Sequence, residues 1–116
     1  MSAIKEIEHL QGEPLSDVCF VTDYVQLGFS GALLACFSEP VIETSTLKCR
    51  FPESGSRDAL CSFISHAPTK ILVQDGVAII LEFSVGKITV PLDAQNQKFG
   101  EAASFTPGLN KPVQIF

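Results

Sequence analysis

No stretch of this 116-residue chain approaches the roughly 18 consecutive apolar residues that a membrane-spanning helix needs. Met1 to Leu10 sets Lys5, Glu6 and Glu8 among its apolar residues, so the basic end and apolar block of a secretory signal are missing. A cytoplasmic setting is therefore expected. Basic residues are scarce, 8 against 13 acidic ones for a net charge of −5, and they form no cluster. Affinity for a nucleic-acid backbone comes largely from Lys and Arg displacing counterions, so nucleic acid and anionic membrane surfaces are excluded as expected partners. A basic protein partner is compatible with that balance.

Metal and cofactor signatures are also missing. Cys19, Cys36, Cys49 and Cys61 are spread along the chain without a Cys-x-x-Cys pair, and His9 and His66 are not spaced as a ligand pair. No metal site and no cofactor is expected, and in a reducing compartment all four thiols read as reduced. Gly28-Phe29-Ser30-Gly31 lacks the Gly-x-Ser-x-Gly order of a nucleophile elbow and sits between strands rather than before a helix. Ser62, Ser65 and His66 are adjacent at a helix end, where capping roles account for them. Pro52-Glu53-Ser54-Gly55-Ser56 has one glycine and no following lysine, so it is no phosphate loop. No catalytic residue is assigned, and the chain is expected not to be an enzyme.

Against these absences stands a composition that is 46% hydrophobic and 18% charged, enough for one packed domain over residues 1–116. Two stretches of the chain look alike. Leu10-Gln11-Gly12, Val18, Phe20, Thr22-Asp23, Val25, Leu27 and Phe29 find counterparts in Phe63-Ile64-Ser65, Ile71, Val73, Asp75-Gly76, Ala78, Ile80 and Phe83. The register slips by one residue before the phenylalanine, as an extra bulged residue in a hairpin would make it do. Helical spacing predicts a helix over residues 3–10 and a second beginning near Asp58 and ending near Ser65. Alternation predicts strands over 18–21, 24–29 and 32–37, and again over 71–73, 77–83 and 87–92. Residues 41–44 and 47–51 read as a weaker strand pair, 101–103 as a helical turn, and 113–116 as an edge strand or a loose end. The expected fold is α+β: two repeats of helix plus three-stranded antiparallel meander, over about 3–37 and 57–92. These would form one sheet or a partly open barrel with approximate two-fold symmetry, followed by an extension over 93–116.

Surface residues then carry the functional reading. Asp23 and Tyr24 put a charge beside the only tyrosine at the first hairpin tip, and with Glu39 and Glu43 they form the candidate partner-binding set. Phe20-Val21-Thr22-Asp23-Tyr24-Val25-Gln26-Leu27-Gly28-Phe29, then Ser56-Arg57-Asp58-Ala59-Leu60-Cys61 and Gly100-Glu101-Ala102-Ala103, resemble phrases of a group of small uncharacterised bacterial proteins. Proteins of that kind are often found among or beside the immunity proteins of bacterial toxin systems. The resemblance implies a stoichiometric toxin inhibitor, and it brings no catalytic residue with it. Two rivals belong to other classes: a small-ligand-binding or enzymatic half-barrel lined by Phe29 and Phe83, and a structural homodimer pairing through edge strands.

Overall fold

The computed structural model describes residues 6–22, 24–93, 101–108 and 113–116. It corrects the expected α+β class. The chain is mostly β, and its strands form two antiparallel sheets rather than one sheet or open barrel built from helix-plus-meander repeats. The first sheet contains β1 (Asp17–Val21), β2 (Tyr24–Phe29), β3 (Ala32–Cys36), β9 (Ala103–Thr106) and β10 (Gln114–Ile115), in that order. The second contains β5 (Lys48–Arg50), β4 (Val41–Thr44), β8 (Gly86–Pro91), β7 (Ala78–Phe83) and β6 (Lys70–Gln74), in that order.

Among the described residues helix is scarce, for local reasons. The described part of the N-terminal helical stretch is a five-residue 3-10 turn, Glu6–Leu10, ending at Gly12 with φ 87°. The second helix, α1, is only the six residues Ser56–Cys61. Gly55 precedes it at φ 87° and Ser65 closes the following turns at φ 81°, so left-handed residues bracket it on both sides. Ser62 donates its hydroxyl back to the Ala59 carbonyl at 2.5 Å, the bond with which a serine competes against helix continuation.

The segments expected to be weak or trailing turn out to complete the sheets. β4 pairs with β8 through Val41↔Thr89, Ile42↔Ile88 and Glu43↔Lys87. β9 pairs with β3 through Leu33↔Thr106, Leu34↔Phe105 and Cys36↔Ala103, where sequence alone suggested a helical turn and a loose extension. Each sheet is thus a meander from one half of the chain extended by a hairpin from the other half. The linkers are stitched together as well: Leu15 N–H donates to the His66 carbonyl at 2.9 Å, and Ser65 N–H donates to the Leu15 carbonyl at 2.8 Å.

Turn chemistry sets the registers. Ser30 and Gly31 both have positive φ, 50° and 99°, the pattern a two-residue hairpin loop requires, and this pairs Phe29 with Ala32. The β6–β7 connection holds three residues, Asp75-Gly76-Val77, with Gly76 at φ 73°. The extra residue therefore sits in the turn itself. Its consequence is that Ile79, Leu81 and Phe83 face the core, while Ile80 lies on the other side of its sheet.

One hydrophobic cluster lies between the sheets. Val25, Leu27, Phe29, Leu34, Cys36 and Phe105 come from the first sheet, and Ile42, Ile79, Leu81, Phe83, Ile88 and Val90 from the second. Burying each such leucine, isoleucine or phenylalanine contributes about 1.5–3 kcal/mol relative to exposure. Phe63 closes one end, meeting Phe83 edge to face at 4.9 Å. At the β1 edge, Phe20 and Phe51 stack at 5.9 Å with an interplanar angle of 13°, and the Arg57 guanidinium lies over both rings at 5.6 and 5.0 Å.

Gly86 shows how closely the strands pack. It has φ 154°, and a Cβ there would collide with the Glu43 backbone carbonyl and approach Phe63 at 3.1 Å. At Gly28 a Cβ would meet only the side chain of exposed Asp17, which can swing aside. Gly86→Ala should therefore lower unfolding free energy by about 2–4 kcal/mol in urea titration, and Gly28→Ala by less than about 1 kcal/mol. Equal losses at the two sites would contradict this packing.

Candidate protein-interaction face

Because the two sheets share one core, each has a single outward face, and the two faces differ sharply in charge. Outward positions of the second sheet line up in one row by strand register: Lys70↔Glu82, Glu82↔Lys87, Lys87↔Glu43 and Glu43↔Lys48. The row alternates in sign across all five strands. The Glu43 carboxylate lies 3.9 Å from Lys87 Nζ and 4.0 Å from Lys48 Nζ. Arg50, paired with Val41, adds a further cation to this face. Lys48, Arg50, Lys70 and Lys87 thus all stand on the second sheet, and Arg57 is occupied by Phe20 and Phe51.

The outward face of the first sheet carries none of these cations. Its positions are Asp17, Cys19 and Val21 on β1, Tyr24 and Gln26 on β2, Leu33 and Ala35 on β3, Ser104 and Thr106 on β9, and Ile115 on β10. Asp17 is the one charged residue among them. An aromatic pair stands at one end, Tyr24 and Phe37 with centroids 5.0 Å apart and rings tilted by 56°. Phe37 is fixed from behind, since its N–H donates to the Ala102 carbonyl at 2.8 Å and the next residue, Ser38, donates to the same oxygen at 3.0 Å. The Ser38 hydroxyl reaches the Pro91 carbonyl at 2.6 Å and ties this crossing segment to the second sheet. Glu39 and Glu101 flank the aromatic end in sequence, one beyond Ser38 and the other beside Ala102.

These placements sort the four candidate residues. Tyr24 lies on the outward face of the first sheet, and Glu39 follows the aromatic pair at its end. Glu43 is on the opposite side of the molecule, held in the alternating row between two lysines. Asp23 falls outside the described residues. Phe37 joins the set, although sequence reading placed it only at the end of a strand. Its signal was present in the numbering: a two-residue turn at Ser30-Gly31 pairs Phe29 with Ala32, and the same register carries Tyr24 to Phe37.

The chemical candidates are dispersed. Among the described residues, no group of three or more His, Cys, Asp or Glu side chains is placed to hold a metal ion. A hollow of about 190 Å³ is lined by His9, Glu13 and Ser30 over Phe29 and Phe105, and a shallower one of about 380 Å³ lies by Glu43, Ser84 and Lys87. Cys36 is fully buried, and loss of solvation pushes its thiol pKa up to about 12; burial, then the nearby Glu53 charge, raises that of Cys49. Cys19 and Cys61 are exposed. Among the described residues, no helix is long and apolar enough to cross a membrane. Comparison with protein-family models, with curated proteins and with solved structures finds no match for this chain.

Two outcomes follow from this geometry. In native protein, a thiol reagent should label Cys19 and Cys61 quickly and Cys36 and Cys49 only on unfolding, as counted by mass spectrometry. Because the folded Cys36 pKa lies above its unfolded value, stability is intact below the ordinary thiol range and falls as pH rises from about 9 towards 12, by about 1.4 kcal/mol per pH unit. Separately, Glu43→Lys places three lysines side by side and should cost about 0.5–1 kcal/mol at low salt, with the loss shrinking in 1 M salt, where the Debye length falls to about 3 Å. A loss independent of salt would show that the row is not electrostatic.

Proposed function

We propose that this domain is a non-catalytic protein-binding module that blocks its partner by stoichiometric occupancy, in the manner of an immunity protein holding a bacterial toxin in check. The supporting observation is the outward face of the first sheet, with Tyr24 and Phe37 at one end and no described lysine or arginine on it. Interface centres are depleted in charge and enriched in aromatic residues, and that composition separates this face from its charged counterpart. Glu39 and Glu101 beside the aromatic end, and Asp17 at the far corner, suit a partner whose own contact surface is apolar at its centre and basic at its rim. A chain of net charge −5 also attracts such a partner from a distance and speeds encounter. Inhibition by coverage needs no nucleophile, metal or cofactor in the inhibitor itself. A cytoplasmic location, where a producing cell meets its own toxin, belongs to the same reading.

The test is co-expression with the product of the neighbouring reading frame, scoring rescue of growth and co-purification. Tyr24→Lys and Phe37→Lys should each weaken the complex by about 100-fold while leaving the thermal melt of the free domain in place. Glu43→Lys, on the opposite face, should leave binding unchanged. A complex indifferent to both aromatic substitutions, or a partner neither bound nor neutralised, would overturn the proposal.

A further inference from the structure

We infer that β10 is a self-association edge, along which two copies of this chain pair antiparallel about a two-fold axis at Gln114. The inference does not depend on the first sheet's face binding another protein. Phe116 exchanges hydrogen bonds with Ala103 in both directions, at 2.8 and 3.3 Å, so it spends both backbone groups on β9. In an antiparallel ladder the next residue turns both of its groups the other way. Ile115, and by the same alternation Val113, therefore direct N–H and C=O toward the open side of the sheet, where among the described residues no strand follows. The same two residues carry exposed apolar side chains, Val113 at 50% and Ile115 at 58%.

The other three edges are defended. β5 presents Lys48 and Arg50, β6 presents Lys70, and β1 is packed against α1. Charged outward residues on an edge oppose pairing with another copy. β10 has no such residue, and its neighbours Ser104 and Thr106 on β9 are uncharged. Two copies can thus approach here without bringing like charges together, despite the net charge of the chain.

A two-fold axis through Gln114 sets Val113 opposite the second copy's Ile115, and Ile115 opposite its Val113, each pair exchanging two backbone hydrogen bonds. Gln114 then faces its own counterpart at a position free of backbone bonds, where side chains approach most closely. Within the chain its Oε1 is buried on the Phe105 side of the sheet with no hydrogen-bond partner, so the carboxamide has to turn toward the edge to meet a second copy. A carboxamide is both donor and acceptor, so a second Gln114 is its complement. The strand is short, which puts the contact at the small end of interface sizes and makes the pairing concentration-dependent.

Sedimentation of the full chain from micromolar to millimolar concentration tests this, with an expected rise in mass from 12.5 kDa toward twice that value. Ile115→Lys adds charge at the edge, and Ile115→Pro removes an N–H that the chain's own ladder does not use. Each should weaken association at least about tenfold without changing the circular dichroism melt. Val77→Lys, at an equally exposed site of 58% in the β6–β7 turn, should leave association as it is. A wild-type mass of 12.5 kDa across the range, or Ile115 variants that associate as wild type does, would overturn the assignment.

Discussion

Everything in this molecule hangs on two antiparallel ladders that join the halves of the chain, β3 to β9 and β4 to β8. A three-stranded meander standing alone leaves one edge of its last strand unpaired and one face bare, and such a unit is marginal in water. Here β1, β2 and β3 are extended by the hairpin of β9 and β10, and β6, β7 and β8 by the hairpin of β4 and β5. β3 and β8 become interior strands only because the opposite half supplies their second neighbour. The crossing segment from Phe37 to Pro40 has to pass between sheets for this to happen, and the Ser38 hydrogen bond to Pro91 secures it there.

That exchange also commits both inner faces to one core. The two outward faces that remain differ in charge. In the alternating row of lysines and glutamates, Glu43 is held between Lys48 and Lys87. The opposite face has Asp17 as its one charged strand residue and its aromatic rings at one end. At Gly86 the strands leave no room for a Cβ, which would collide with the Glu43 carbonyl and crowd Phe63.

Much of the strand content was legible from residue patterns, because alternation in Tyr24 to Phe29 and the Ser30-Gly31 turn specify both a hairpin and its register. The two helices were over-read. Apolar residues at helical spacing, such as Ala59, Leu60 and Phe63, are buried in the structure, yet they belong to a six-residue helix followed by consecutive turns. Periodicity over so few residues does not separate these cases. β9 escaped notice because Glu101-Ala102-Ala103 is composed of good helix formers, and pairing with β3 overrides that propensity. Long-range pairing of this kind has no local signature. The candidate site was partly visible: Tyr24 stood out as the lone tyrosine, whereas its partner Phe37 required knowing the register. The separation of Glu43 from Glu39 depended on the chain changing sheets between them, which spacing alone could not express.

The exchanged hairpins carry a consequence for synthesis. Leu34 has its ladder partner in Phe105, so while the ribosome is still emitting the middle of the chain, β3 has no second neighbour to hold. Sheet formation that depends on distant segments must first meet the entropy of closing long loops, which slows folding and prolongs exposure of bare strands. The nascent first half is in that interval an incomplete template, open to wrong pairing or to a chaperone. The first sheet is thus assembled out of chain order, and its outward face is complete only once β9 and β10 have been made and have found β3.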